Sequence, residues 1–175
     1  VTSVSQKSDQ ALVQLAQAGV SRLYLGIESG LEDVLTQMDK DHNLAQAYRQ
    51  IERMQQAGMI YDAHMMTGVA GKGRGLENAR ATAAFFNRTR PSRIVNFSMF
   101  VHRSAPLYRE IEAGRFQPAT ELENLEEDRL LLQLLEDWPV EYDGFHDHIL
   151  IRVRGTLPQD RAKMLDKLDR EIEKR

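Results

Sequence analysis

The sequence predicts an α/β fold with a parallel sheet built from three βα units. Three short, mostly apolar runs begin near residues 22, 59 and 93, and a segment with helical spacing of its apolar residues follows each one. Strand starts about 35 residues apart, with a helix in each interval, are typical of βαβ units with right-handed crossovers. In addition, 42% of the 175 residues are apolar, which allows a hydrophobic core and excludes a disordered tail.

The first unit predicts a helix, a strand and two further helices. The opening helix ends at Gly19, which can adopt the left-handed conformation that closes a helix. The run 22–27 is mostly apolar and predicts a buried strand rather than a half-exposed one. A short helix over 31–38 follows, and a longer one extends from about Asn43 to Gly58.

The second and third units continue the pattern. Residues 59–67 predict a second strand that is more polar than the first, and a glycine-rich loop over 68–75 leads into the next helix. The run 94–101 predicts the third strand because it is rich in β-branched and aromatic residues. A short helix then begins at Pro106 and ends at Gly114.

The character of the chain changes from Pro118. Thr120 and Glu123 form a predicted capping box for a Leu-rich helix, and the acids in its first turns complement the helix dipole, so that run needs no ligand. A short strand over 149–153 and a final helix opened by Pro158 complete the predicted elements.

Composition excludes several classes of function. The net charge of -3 argues against a general nucleic-acid binder, and no apolar run approaches the roughly 20 residues of a membrane span. The chain has 0 Cys, which excludes disulfides, Cys-ligated zinc, Cys-held iron–sulfur clusters and thiol catalysis within it. It begins with Val1 and has no signal-like stretch, so we expect a cytoplasmic protein and interpret the chain as a piece of a longer one.

Polar residues follow the first predicted strand, at the edge where parallel α/β folds bind ligands. Glu28 and Ser29 lie there between Gly26 and Gly30, which let the backbone turn tightly. A carboxylate in this place could accept two hydrogen bonds from a ribose diol. A helix N-cap with an acid facing the dipole is an equally good interpretation.

Three further places could carry chemistry. The glycines of 68–75 could offer backbone groups to a nucleotide, although the loop is neither a P-loop nor GxGxxG, and a flexible connection is the simpler interpretation. His102 could titrate near neutrality, but a histidine at a loop end is more often structural or solvated. His146 and His148 would face one side of a strand, which suits a metal, yet two ligands are too few for a tight site.

The residues around Glu28 also resemble a known family. Residues 23–30, with Val34, Leu35, Met38 and Lys40 after them, resemble the fourth-strand region of radical S-adenosylmethionine (radical SAM) proteins. Those proteins have a Gly-x-Glu/Gln-Ser-Gly strand end and then a Val-Leu-x-x-Met-x-Lys/Arg helix. Matches to the family's fifth and sixth strands follow in order at 57–60, 66–68, 94–101 and 105–108. The tail is similar to one bacterial subgroup of uncharacterised iron–sulfur oxidoreductases at 114–116, 121–127, 146–148 and 155–158.

The resemblance implies half of a (βα)6 partial TIM-like barrel. Residues 1–117 would be the C-terminal half of that barrel, and residues 118–175 would be a helical C-terminal extension. It also implies a role for each residue of an S-adenosylmethionine site. The residues so implied are Glu28 and Ser29 for the ribose hydroxyls, Lys40 for the methionyl carboxylate, and backbone at Gly68 to Gly71 and at Phe100 to His102 for the adenine.

The sequence departs from the family in lacking the Cys-x3-Cys-x2-Cys loop that holds the [4Fe-4S] cluster. We therefore expect a fragment of a radical SAM iron–sulfur oxidoreductase that is inactive without the missing N-terminal half of the barrel. S-adenosylmethionine and the cluster would be cofactors of the parent protein, with none bound tightly here. A homodimer through the exposed half-barrel face or edge is expected. A non-catalytic α/β binding or scaffolding module and a free-standing nucleotide-binding domain remain alternatives.

Overall fold

The computed structural model describes residues 1–144 and 150–175, which form eight helices and five strands. In chain order the elements are α1 (Thr2–Ser5), α2 (Asp9–Gln17), β1 (Arg22–Glu28), α3 (Glu32–Gln37), α4 (Leu44–Gln56), β2 (Ile60–Thr67), α5 (Gly75–Thr89), β3 (Arg93–Ser98), α6 (Pro106–Glu112), α7 (Glu121–Leu134), β4 (Val140–Gly144), β5 (Val153–Leu157) and α8 (Arg161–Ile172). Within these ranges, none of the helices combines the length and the apolar character needed to cross a lipid bilayer.

The five strands form one sheet in the order β1-β2-β3-β4-β5. The first four strands are parallel, and β5 pairs antiparallel with β4. One row of the register connects Leu25, Ala63, Ile94 and Tyr142 across the parallel strands. The predicted α/β fold is therefore confirmed, but the sheet has four parallel strands and one antiparallel strand, whereas the spacing of the apolar runs predicted a parallel sheet from three βα units.

Two strands lie in the segment that the sequence predicted as a helical extension. β4 continues the parallel sheet beside β3, and β5 covers 153–157 where the sequence predicted a strand over 149–153. The start of β4 is fixed by Trp138, whose indole Nε1 donates to Pro91 O at 3.0 Å. The extension is therefore not only helical, because its strands complete the sheet that β1 to β3 begin.

One face of the sheet packs against the helices and forms the core. Leu25, Ala63 and Ile94 point to this face, and inward residues of α2, α4, α5, α7 and α8 cover them. The core is continuous from Leu12 in α2 to Leu168 in α8. The helices after Pro118 thus belong to the same core as the predicted βα units.

The opposite face of the sheet is open. Tyr24 on β1 is 50% exposed, whereas its neighbour Leu25 is 4% exposed. The prediction of a fully buried first strand is therefore wrong, because β1 is the edge of the sheet and alternates between core and open face. Three ion pairs lie on this face, namely Arg22–Asp62, Arg93–Glu141 and Arg154–Asp143. The ring of His64 contacts Tyr24 in a tilted arrangement and Phe97 edge-to-face.

Candidate functional site

The segments that follow β1, β2 and β3 converge at the carboxyl edge of the sheet, where parallel α/β folds bind ligands. They contribute the turn at 28–31, the loop at 68–74 and the segment 99–105. The residues that the family resemblance implied for a cofactor site lie in these segments or, for Lys40, shortly after α3. Parallel pairing is what brings them to one edge, since each strand runs in the same direction.

Glu28 occupies a strained turn at the end of β1. Its φ is 63°, and Ser29 N–H donates to Ile27 O at 2.7 Å, which closes a γ-turn around it. The register with β2 shifts between Gly26 and Glu28. A Cβ at Gly26 would lie 2.5 Å from Glu28 Oε1, so a side chain there would displace the carboxylate from this position. Strain at a residue other than glycine is typical of functional positions.

Lys40 reaches the same carboxylate from the end of α3. Its Nζ lies 3.2 Å from Glu28 Oε1, and both side chains are partly buried. The helix ends in a Schellman turn with Asp39 left-handed at φ 52°, and Lys40 N–H donates to Leu35 O at 3.0 Å. A carboxylate offers about four acceptor positions, so this pair leaves Glu28 able to accept hydrogen bonds from a ligand.

Ser29 is turned into the fold, whereas the family resemblance implied a contact with the ribose hydroxyls. Its side chain is fully buried, with Oγ donating to Asn78 Oδ1 at 2.5 Å and accepting from Leu31 N–H at 3.0 Å. The backbone of the γ-turn directs Glu28 to the rim and turns Ser29 into the fold. The hydroxyl therefore fixes the turn from inside and has no exposed surface for a ribose.

The glycine loop after β2 is a compact, hydrogen-bonded turn rather than a flexible connection. Gly68 and Gly71 both have φ of 80°, which requires glycine. The N–H groups of Gly68 and Gly73 donate to carboxylate oxygens of Glu127 and Glu123 at 2.9 and 2.7 Å, and Gly71 N–H donates to Gly68 O at 3.0 Å. Acceptors, two of them carboxyl oxygens, already occupy these amides, which disfavours a phosphate-binding loop.

A cavity of about 480 Å³ lies beside these segments. Phe100, which is 62% exposed, contributes to its wall. Apolar side chains dominate the lining, namely Met38, Met66, Val69, Met99, Phe100, Val101, Ala105, Pro106, Leu107 and Phe116, together with Gln37, Asp39 and Glu110. His102 is exposed next to it, and its Nδ1 accepts from Ser104 N–H at 3.2 Å, so the ring closes its own turn.

Two buried carboxyl groups on α7 were not predicted as part of any site. Burial raises the pKa of Glu127 to about 7, although hydrogen bonds from Gly68 and Asn78 oppose the rise. Burial likewise raises the pKa of Asp128 to about 6. Sequence reasoning assigned both to an acidic run that faces the helix dipole. Their spacing was the available signal, because each lies four residues before a core leucine, Leu131 or Leu132.

The residues of this chain do not fit an iron–sulfur cluster. The chain has 0 Cys, and within residues 1–144 and 150–175 no group of three or more His, Asp and Glu side chains is arranged to hold a metal ion. The predicted pair His146 and His148 lies outside the described residues. A cluster would therefore have to be held by a chain segment other than this one.

Comparison with known proteins gives one curated relative and a matching solved fold. No family model matches the chain. The tRNA uridine(34) acetyltransferase of Methanocaldococcus infernus is 20% identical over 132 residues, which is 75% of this chain and 25% of that protein. The structure of the archaeal Methanocaldococcus infernus Elp3 with an N-terminal deletion superimposes with a TM-score of 0.70 and 19% identity. That match covers 95% of this chain and 39% of the other.

These findings confirm the predicted relationship. The chain is homologous to Elp3, which is a member of the radical SAM superfamily. The solved structure shares the mostly parallel α/β sheet described above. This chain spans about a quarter of the curated relative's length, so the homology concerns one part of that protein.

Proposed function

We propose that this chain is a fragment of a radical SAM protein that contributes the ribose, adenine and carboxylate side of an S-adenosylmethionine site. The observation that carries the proposal is the Glu28–Lys40 pair on a strained turn at the carboxyl edge of the sheet, next to a mostly apolar cavity. The partly buried carboxylate of Glu28 suits the ribose hydroxyls of that cofactor, and the ammonium of Lys40 suits its carboxylate. The apolar wall of the cavity suits its adenine. The homology to Elp3 supports the same family.

Each part of the cofactor would meet a different group. Glu28 would accept hydrogen bonds from the two ribose hydroxyls, and Lys40 would pair with the methionyl carboxylate while remaining beside Glu28. The adenine would lie against the cavity wall near Phe100, with the backbone of 100–102 and of Gly68 to Gly71 flanking it. Ser29 would hold the turn from inside, since its hydroxyl is buried.

The cofactor supplies one-electron chemistry only beside a reducing cluster, which this chain lacks the thiolates to bind. This chain's own residues would bind and orient the cofactor and shield one side of it from water. We therefore expect the fragment to be inactive alone. The substrate and reaction of the parent protein would be set by segments other than this one.

Binding of the cofactor can be measured on the fragment itself. In an NMR titration with S-adenosylmethionine, we expect weak binding, with amide shifts in 26–29, 68–71 and 99–102. The Glu28→Gln variant should weaken binding by about tenfold or more, because a charge-assisted hydrogen bond is lost. Glu52→Gln, the same change at an exposed position of α4, serves as the control. Shifts elsewhere, or equal affinities of the two variants, would argue against the proposal.

A further inference from the structure

The carboxylate of Glu127 on α7 connects two rim segments that lie far apart in the sequence. Its Oε2 accepts from Gly68 N–H at 2.9 Å, and its Oε1 accepts from Asn78 Nδ2 at 2.7 Å. The side chains of Glu127 and Asn78 are completely buried. A single carboxylate thus holds the loop after β2 and an amide of α5 at the same time.

Asn78 continues this connection to the turn that presents Glu28. Its Oδ1 accepts from Ser29 Oγ at 2.5 Å, and Ser29 Oγ accepts from Leu31 N–H at 3.0 Å. A parallel contact reinforces the turn, because Gly30 N–H donates to Thr82 Oγ1 at 2.9 Å. Hydrogen bonds therefore run without a break from the loop at 68 to the turn at 28–31.

The direction of these hydrogen bonds requires two acceptors at position 127. A backbone N–H and the Nδ2 group of Asn78 can only donate, and they approach different oxygens of Glu127. A glutamine would present one acceptor and one donor, so one of the two contacts would become donor against donor. Burying a carboxyl group here raises its pKa to about 7, a cost that an apolar side chain of similar size would avoid. The acid therefore serves the two contacts rather than the packing of the core.

We propose that Glu127 and Asn78 are positioning residues that fix the Glu28 turn and the Gly68 loop relative to each other. This inference rests on the proposed function in one respect, namely that the two segments bind one cofactor. Neither residue touches that cofactor, since both are buried behind the rim. They act through Ser29 and through the amide of Gly68.

Because each group in these hydrogen bonds has a fixed role as donor or acceptor, one substitution should break the contacts and a second should restore them. Glu127→Gln leaves one donor without an acceptor. Combining it with Asn78→Asp restores every contact, because the new amide can donate to the new carboxylate, which still accepts from Ser29 Oγ. Asp128→Asn is the matched control, since Asp128 is an equally buried neighbour that contacts Asn96 and Tyr142 instead of the rim segments.

Hydrogen exchange of individual amides reports the coupling without any cofactor. We expect E127Q to accelerate exchange of the Gly68 and Leu31 amides together by about tenfold, the scale of one lost buried hydrogen bond. The double variant should restore both rates, and D128N should change neither relative to the rest of the core. Ser29→Ala, at the other end of the connection, should accelerate exchange at Gly68. Acceleration at Gly68 alone in E127Q, or a double variant without rescue, would overturn the inference.

A titration with S-adenosylmethionine separates this inference from the proposed function. If the wild-type chain binds, E127Q should weaken binding about tenfold and the double variant should restore it. Loss of binding in D128N to the same extent would overturn the positioning role, because that change does not touch the rim segments. If the wild-type chain does not bind, the proposed function fails, while the exchange rates still decide whether Glu127 couples the two segments.

Discussion

Lys40 Nζ lies 3.2 Å from Glu28 Oε1, and this pair joins two residues that the family resemblance assigned to different ends of one cofactor. The contact depends on two unusual backbone conformations. Glu28 has φ of 63° in the γ-turn, and Asp39 has φ of 52° in the turn that precedes Lys40. One of these residues belongs to the ion pair and the other directly precedes Lys40, and neither is a glycine. Their positive φ values indicate that the fold maintains this geometry against local strain.

Removing the cation should affect binding more than stability. The pair is partly exposed, with side-chain exposures of 26% and 15%, so Lys40→Met should lower the free energy of unfolding by less than about 1 kcal/mol. Affinity for S-adenosylmethionine should fall by about tenfold, because an ionic contact to the ligand's carboxylate is lost. Urea denaturation and calorimetric or NMR titration measure the two quantities. A large loss of stability with unchanged affinity would assign Lys40 to the fold alone.

Gly30 should tolerate no side chain. A Cβ there would overlap backbone atoms of Ala81 and Thr82 in α5, against which the turn packs directly. We expect Gly30→Ala to lower the free energy of unfolding by about 2–3 kcal/mol and to displace the turn. Gly73→Ala is the control, since a Cβ at Gly73 meets nothing within 4 Å and only its φ of 79° opposes the change. The control should cost about 1–2 kcal/mol, and equal losses in chemical denaturation would contradict the predicted overlap.

The buried acids of α7 should make the protein more stable at mildly acidic pH. Burial raises the pKa of Glu127 from 4.5 to about 7 and that of Asp128 from 3.8 to about 6, so the folded state binds more protons than the unfolded state between these values. The free energy of unfolding should therefore fall as pH rises from about 5 to about 7, by on the order of a few kcal/mol. Tyr142 also faces Asp128, but burial raises its pKa well above this range.

The same pH dependence can be assigned to individual groups. Glu127→Gln should flatten the slope of unfolding free energy against pH between about pH 4.5 and 7, whereas Asp128→Asn should flatten it between about pH 3.8 and 6. Between pH 6 and 7 only Glu127→Gln should have an effect. Exposed carboxyls paired with arginine, such as Asp33 beside Arg74, have lowered pKa values and act in the opposite direction, but only below their ordinary pKa of 3.8. Urea denaturation at several pH values measures the slope. A wild-type slope of the opposite sign between pH 5 and 7 would contradict the raised pKa values of the two buried acids.

Local signals were sufficient to predict most of the individual elements. The capping box of α7 forms as predicted, with Thr120 Oγ1 accepting from Glu123 N–H at 3.2 Å and Glu123 Oε2 accepting from Thr120 N–H at 2.7 Å. β4 was not predicted, because the run directly after Trp138-Pro139 is only five residues long, although its alternation of apolar and charged residues is the pattern of a half-buried strand. Pairing with β3 selects that strand, and such long-range contacts leave little trace in a single sequence.

The candidate site was predictable in its position but not in the direction of every side chain. The Gly-Ile-Glu-Ser-Gly segment marked the rim, and Glu28 lies there with its carboxylate partly exposed. Whether Ser29 faces the ligand or the core depends on the γ-turn and on Asn78, which is 49 residues away in the sequence. Glu127 was hidden in an acidic run because its burial is decided by how α7 packs against α5 and the glycine loop.

The open face of the sheet should drive self-association of the isolated chain. Tyr24 and Ile60 are 50% and 44% exposed on it, and β1 is an unpaired edge strand beside them. In the parent protein we propose that the other half of the barrel covers this face. Without that half, a second copy offers the same apolar and hydrogen-bonding groups. Sedimentation velocity should then show dimers at high concentration.

A charged substitution on the open face tests whether the dimer forms through that face. Tyr24→Arg should raise the dissociation constant of the dimer by at least about tenfold, because it buries an unpaired charge in the contact. Val13→Arg, at a residue of α2 that is 41% exposed, is the matched control and should leave the dimer unchanged. A stable wild-type monomer at high concentration, or equal effects of the two variants, would contradict association through the open face. Tyr24 lies away from the Glu28 turn along β1, so binding of S-adenosylmethionine should persist in the monomeric variant.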